Sequence, residues 1–153
     1  MSLLRAAGVP ASLLPTAERH LSCIEAEAGD LLAESIAAHP EPEKFLSELT
    51  RVVSASDFVA DQLRSDPGFL RSLAQDATSP IDLVSFREAC LRCESDLDLD
   101  SLLRKNRQKA MMRILWQDFN QADSELRYRN TVAQVSALAE ASIQVALDFH
   151  YKT

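Results

Sequence analysis

Glycine is so scarce in this sequence that several classes of fold and site are excluded at the outset. Only Gly8, Gly29 and Gly68 occur in 153 residues, about 2% of the chain against roughly 7% in ordinary globular proteins. A dinucleotide-binding fingerprint needs three glycines within six residues, and a phosphate-binding P-loop needs two ahead of Lys-Ser/Thr. Neither pattern occurs. Because glycine also serves the tight turns of β-hairpins, the chain is predicted to be helical.

Apolar residues recur at steps of three and four along most of the chain, which is the period of an amphipathic helix. Prolines and capping residues separate the periodic segments. The sequence therefore predicts an all-α fold of six or seven helices in one bundle-like domain over residues 1–153. The predicted helices cover residues 16–38, 42–53, 57–65, a short stretch from 66, 79–94, about 101–121, and 123 or 124 almost to 153.

Local signals support these boundaries. Ser56 is predicted to cap the helix that begins at residue 57, Asp66 to cap the short helix that follows it, and Ser79 to begin the next. In the last helix, the regular spacing of apolar and aromatic-ring positions indicates one continuous element. These positions are Val132, Val135, Ala139, Ile143, Ala146 and His150.

Charge and cysteine usage narrow the functional classes. The net charge of −7 disfavours general nucleic-acid binding, which depends on neutralising phosphates. The sequence has no apolar run long enough for a membrane span and no secretory signal. The three cysteines cannot all pair, and Cys90 and Cys93 lack a second pair of ligands for zinc. We expect free thiols, no metal site, no membrane or nucleic-acid partner, and a cytoplasmic protein.

The alternating acidic run from Asp96 to Asp100 resembles a cation-binding loop only superficially. A calcium-binding EF-hand loop that began at Asp96 would need glycine at its sixth position and glutamate at its twelfth, where this sequence has Ser101 and Arg107. Carboxylates are favourable at the start of a helix because they complement its dipole and its free N–H groups. The run is therefore predicted to be a helix N-terminus, and no catalytic or metal-binding residue is assigned in the chain.

A cluster of basic residues in this acidic chain is the main candidate for a binding function. Five of the ten residues from 104 to 113 are basic. Helical projection places Lys105, Lys109 and Arg113 on one stripe, and it places Arg107 within the apolar sector of the same helix. A buried arginine needs an acidic partner, so the cluster indicates either structural ion pairs or a surface for an acidic or phosphorylated partner. The candidate contact residues are Arg104, Arg107 and Arg113.

Three segments together resemble the glutamine synthetase adenylyltransferase/adenylyl-removing enzymes. The central one is similar to the arginine-rich helix of this family, and helices before and after it also match in order and spacing. The resemblance covers about residues 53–151, while residues 1–50 carry no motif that we assign. The matching residues are Leu103, Arg104, Arg107, Met111, Arg113, Ile114, Trp116 and Asp118, with the flanking segments Ser56-Asp57-Phe58-Val59, Asp66-Pro67 with Leu70 and Leu73, and Val132-Ala133-Gln134-Val135-Ser136-Ala137-Leu138-Ala139-Glu140-Ala141.

The resemblance implies a parent enzyme that attaches AMP to glutamine synthetase and removes it by phosphorolysis, under control of PII signal protein and glutamine. Such enzymes hold two nucleotidyltransferase halves, each preceded by a helical segment, and use magnesium and ATP or ADP. The opening Met1 and the fit of residues 56–59 favour the N-terminal, AMP-removing half. The adding half stays open as an alternative, because the two halves are related.

The resemblance also implies what this chain lacks. The catalytic segment of the family is a glycine-rich loop followed by Ser-Asp-x-Asp, expected after the helix that ends near Tyr151, and no residue of this chain matches it. We therefore expect no bound cofactor and no activity from this segment alone, which would contact its own catalytic domain, glutamine synthetase or PII protein. The alternative is a stand-alone helical interaction module without enzymatic activity.

Overall fold

The chain folds into α-helices joined by short connections. A computed structural model describes residues 8–152, and the predicted all-α class is confirmed for these residues. A 3₁₀ turn, Ala11–Leu13, precedes seven helices in the described part of the chain. They are α1 (Leu14–Ala38), α2 (Pro42–Ala55), α3 (Asp57–Ser65), α4 (Gly68–Asp76), α5 (Leu83–Cys90), α6 (Asp96–Asn120) and α7 (Ser124–Lys152).

The helix starts show which capping signals were correctly interpreted. The Ser56 hydroxyl accepts a hydrogen bond from the Val59 N–H at 3.3 Å, as predicted for the start of α3. The α7 helix begins where predicted, because the Asp123 carboxylate accepts hydrogen bonds from the N–H groups of Glu125 and Leu126. Asp66 was wrongly predicted as a side-chain cap: α4 begins at Gly68 without a side-chain hydrogen bond at its start.

Two other boundaries differ from the prediction because an unexpected residue provides the cap. The α5 helix begins at Leu83 rather than near Ser79, since the Asp82 carboxylate accepts hydrogen bonds from the N–H groups of Val84 and Ser85. The α6 helix begins at Asp96, within the acidic run rather than after it. Its cap is Ser95, whose hydroxyl accepts from the Asp98 N–H. The predicted placement of the acidic run at a helix N-terminus is confirmed.

The α1 helix runs parallel to the line formed by α3 and α4. Three side-chain contacts join them with a constant separation of 37 residues: a hydrogen bond between His20 and Asp57, and ion pairs of Glu27 with Arg64 and of Glu34 with Arg71. Each pair lies seven residues, or about two turns, beyond the one before. The α1 helix is kinked at Ala28, whose φ of −147° is not helical. The kink lies beside the connection between the end of α3 and the start of α4. The two exposed ion pairs add about 0–1 kcal/mol each, and the three contacts together define one register.

The helices enclose two apolar clusters, and α6 contributes to both. The first cluster lies among α1, α2, α3, α4 and one side of α6, with Phe45, Leu49 and Trp116 among its fully buried members. The second lies among α5, α7 and another side of α6, and it contains Ile114 and Val145. Because α6 is covered from two directions, its apolar residues do not form a single stripe. The α6 helix therefore connects the two halves of the structure.

The α7 helix buries a different side from the one that carries the regular apolar spacing. Leu138, Ala141 and Val145 face the second cluster. In contrast, Val132 and Ile143 are exposed by 46% and 63%. The period correctly predicted the helix, but the residues that showed it are not those that pack. Among the described residues, no helix combines the length and the apolar composition required to cross a membrane.

Candidate interaction surface

The three candidate arginines of α6 occupy different environments. Arg104 is exposed and pairs with Asp100 one turn earlier on the same helix. Arg107 is also exposed, and no ion pair or hydrogen bond engages it within residues 8–152. The prediction that Arg107 lies within the apolar sector of α6 was therefore wrong for its side chain, which is exposed. A projection locates only the Cα atom, and a long arginine side chain still carries its guanidinium into water.

Arg113 is held by the chain itself. Its Nη2 donates to the Asp76 carbonyl oxygen at 2.7 Å and lies 3.2 Å from the Asp76 carboxylate. The same nitrogen is 3.4 Å from the Ser79 carbonyl oxygen. The Arg113 side chain is only 25% exposed. The structural ion pair, one of the two interpretations of the basic cluster, is thus realised at Arg113, which joins α6 to the end of α4 and the loop that follows.

The basic residues of α6 do not form one patch. Arg104 and Arg113 point in opposite directions, because nine residues at about 100° each bring the helix to the other side. Arg104 and Arg107 lie on one side. Lys109 and Arg113 line a cleft of about 510 Å³ between α4, α5 and α6, where the Lys109 ammonium lies 6.0 Å from the centre of the Phe69 ring. Of the three candidate arginines, Arg104 and Arg107, called the α6 arginine pair below, are therefore the two that are exposed to a partner.

The Asp76–Arg113 contact predicts a pH-dependent contribution to stability. Hydrogen bonds from the Ser79 side chain and backbone, and then the Arg113 charge, lower the pKa of Asp76 below its ordinary 3.8. The ionised carboxylate therefore stabilises the fold above the unfolded-state pKa, and this contribution is lost as the pH falls through the folded-state value. We expect Asp76→Asn to be less stable than the wild type at pH 7, with the difference shrinking below about pH 4. Urea denaturation from pH 2.5 to 7 measures this, and a constant difference would contradict it.

A polar cavity at the junction of α6 and α7 was not predicted from the sequence. The Gln117 Nε2 donates to the carbonyl oxygens of Ala77 and Ser79, and its Oε1 accepts from the Gln134 Nε2 at 3.0 Å. Asn120 Oδ1 accepts from Arg51 at 2.6 Å. These amides line a cavity of about 200 Å³. Single amides dispersed over the sequence carry no spacing signal, so only the fold brings them together.

The acidic and thiol groups do not assemble into a metal site. The Asp98 carboxylate accepts a hydrogen bond from the Ser95 hydroxyl at 2.8 Å, and Asp100 is paired with Arg104. The three cysteines are free, and burial raises the pKa of the Cys90 thiol. Over residues 8–152, no three His, Cys, Asp or Glu side chains converge so as to hold a metal ion. The residues present therefore do not fit the magnesium that the resemblance implies for a parent enzyme.

Comparisons with known proteins agree with the resemblance and extend it. The model of the glutamate-ammonia ligase adenylyltransferase family matches residues 46–153. A bifunctional glutamine synthetase adenylyltransferase/adenylyl-removing enzyme of Pseudomonas aeruginosa is 33% identical over 99% of this chain. The enzyme of Pseudomonas syringae pv. tomato is 31% identical over 99% of the chain, and that of Shewanella woodyi 34% over 68%. No solved structure gives a significant match.

The comparisons also show how much of a relative this chain represents. It covers 16% of the length of the two Pseudomonas proteins and 11% of the Shewanella protein. The alignments reach into residues 1–50, to which no motif had been assigned, so the resemblance is broader than residues 53–151. With a family match over more than two thirds of its residues, this chain belongs to the glutamate-ammonia ligase adenylyltransferase family.

Proposed function

We propose that this chain is a helical segment of an enzyme that adenylylates and deadenylylates glutamine synthetase in the control of nitrogen assimilation. The observation that carries the proposal is the alignment of nearly the whole chain with relatives named for both activities. The all-helical fold supports a scaffold role, since the described residues assemble no metal site. In this proposal the segment positions a nucleotidyltransferase domain supplied by the rest of the parent enzyme.

The proposal assigns the chemistry to that other domain. Magnesium and ATP or ADP would serve the parent enzyme there, because Asp98 and Asp100 of α6 are already engaged in a helix cap and an ion pair. We place the segment in the AMP-removing half, on the resemblance of residues 56–59. The segment alone is proposed to be inactive. Its partners would be the catalytic domain, glutamine synthetase and PII signal protein.

The α6 arginine pair provides the test of this proposal. In the full-length enzyme, Arg107→Glu is expected to slow AMP removal from adenylylated glutamine synthetase by about tenfold or more, the effect of losing one hydrogen bond to a charged group. Because Arg107 is exposed and makes no hydrogen bond or ion pair within residues 8–152, the substitution should change the free energy of unfolding by less than about 0.5 kcal/mol. Radiolabelled AMP release and thermal unfolding measure the two effects.

A matched control separates this effect from the change in net charge. Lys105 is exposed on the same helix but points roughly 160° away from Arg107, so Lys105→Glu should leave AMP removal within about twofold of the wild type. Wild-type activity of Arg107→Glu would contradict a contact at this side of α6. A full-length protein without AMP-transfer activity would contradict the proposed function itself and favour the interaction module.

A further inference from the structure

The α7 helix presents a long uncharged stripe to solvent. Its members are Tyr128, Val132, Val135, Ala139 and Ile143, together called the α7 stripe. Tyr128 and Ile143 are 69% and 63% exposed, and Val132 and Val135 are 46% and 39% exposed. At 100° per residue the five positions fall within a sector of roughly 80°. No charged residue belongs to the stripe.

The stripe is distinct from the side of α7 that holds the fold together. Its centre lies roughly 130° around the helix from the side that carries Leu138, Ala141 and Val145, which are buried in the second cluster. Over residues 128–143 it extends for about 22 Å along the axis. Single exposed apolar residues are common, whereas large contiguous apolar patches on a soluble protein mark interaction sites. The row is straight and as long as four helical turns, which is the form of surface that a second helix covers.

We propose that the α7 stripe is the docking surface for a helix from the remainder of the parent enzyme, and this inference rests on the function proposed above. The length of the relatives selects this occupant. The chain covers only 16% of the length of its Pseudomonas relatives, so most of a relative's length lies outside this segment and could supply a helix to cover the stripe. A helix docked there would cover α7 from a second side, as α6 is already covered by both clusters.

The proposed partner helix has a defined chemistry. It presents an apolar row of about four turns, and it carries no charge opposite Val135 and Ala139, because an unpaired charge buried there would be strongly disfavoured. A larger apolar side chain would fill the space above Ala139, the smallest member of the stripe. The larger residues Tyr128 and Ile143 at either end would pack against gaps in the partner's row, as ridges fit grooves between packed helices.

Cysteine accessibility tests the proposal in the protein as it exists. Val135→Cys and Ile143→Cys are prepared in the isolated chain and in the full-length enzyme, and labelling by N-ethylmaleimide is followed by mass spectrometry of the peptide that contains each position. The native Cys23, Cys90 and Cys93 fall in other segments of the sequence. The control is Ala133→Cys, an exposed position of α7 about 120° from the centre of the stripe.

We expect the two stripe variants to react at least about tenfold more slowly in the full-length enzyme than in the isolated chain, with the control unchanged within about twofold. Equal reactivity in both proteins would overturn the proposal. The proposal would also be overturned if the isolated chain sediments as a dimer and its stripe cysteines already react slowly with N-ethylmaleimide. The surface would then be covered by a second copy of the chain. AMP-transfer activity measured on the same full-length variants separates this outcome from failure of the proposed function.

Discussion

Replacing Trp116 with alanine is expected to lower the free energy of unfolding of this chain by about 3–5 kcal/mol. Trp116 is 2% exposed, and its ring centre lies 5.4 Å from that of Phe45 on α2. Loss of the indole removes the largest fully buried side chain and leaves a cavity that surrounding helices close only in part. Because Trp116 is the only tryptophan, urea denaturation is followed by far-ultraviolet circular dichroism rather than by fluorescence.

Trp116→Phe serves as the control for this substitution. Phenylalanine keeps an aromatic ring against Phe45 and leaves a smaller cavity, so we expect a loss of less than half that of the alanine variant. Trp116 also lines the polar cavity at the junction of α6 and α7. A loss below about 1 kcal/mol for Trp116→Ala would contradict its role in joining α6 to the first cluster.

Ile114→Ala is expected to lower the free energy of unfolding by about 2–5 kcal/mol. Ile114 lies two residues from Trp116 on α6 but faces the second cluster, where it is 1% exposed and is grouped with Leu138 and Val145. The measurement is the same urea denaturation. The matched control is Gln108→Ala, a half-buried polar position of α6 that belongs to neither cluster, and it should change stability by less than about 1 kcal/mol.

The two alanine variants together test the prediction of one domain. Since α6 contributes to both clusters, each substitution should weaken a single cooperative transition, and both variants should retain one transition with an unchanged dependence on urea. Two separate transitions, one affected by each substitution, would show that the clusters unfold independently. The predicted single domain would then be replaced by two units that share a helix.

The sequence was sufficient to predict the helices but not the side that each one buries. The α7 helix was predicted within about a residue of its observed ends, because Asp123 is a strong cap and the apolar period is long. Its buried side was not evident, because α7 has apolar residues both at the buried Leu138 and Val145 and at the exposed Val132. The apolar periodicity of a helix indicates that it has an apolar stripe, but it does not indicate which neighbouring helix covers that stripe.

The candidate site was predictable to a similar extent. The density of basic residues identified α6, yet it did not separate Arg113, which binds the Asp76 backbone and carboxylate, from the exposed Arg107. That difference depends on the loop after α4, which lies far from α6 in sequence. The amide contact between Gln117 and Gln134 could not be predicted from the sequence either, because it depends on how α6 and α7 cross. Residue types that lack a characteristic spacing give no signal before the chain is folded.

The three side-chain contacts between α1 and the line of α3 and α4 determine which insertions and deletions the chain tolerates. The pairs are separated by a constant 37 residues, so insertion of one residue between His20 and Glu34 would rotate every later partner by about 100°. An insertion at residues 39–41, between α1 and α2, would only lengthen a connection and leave the spacing along both lines intact. Natural variants of this segment should therefore gain or lose residues in its connections, and hardly ever within α1.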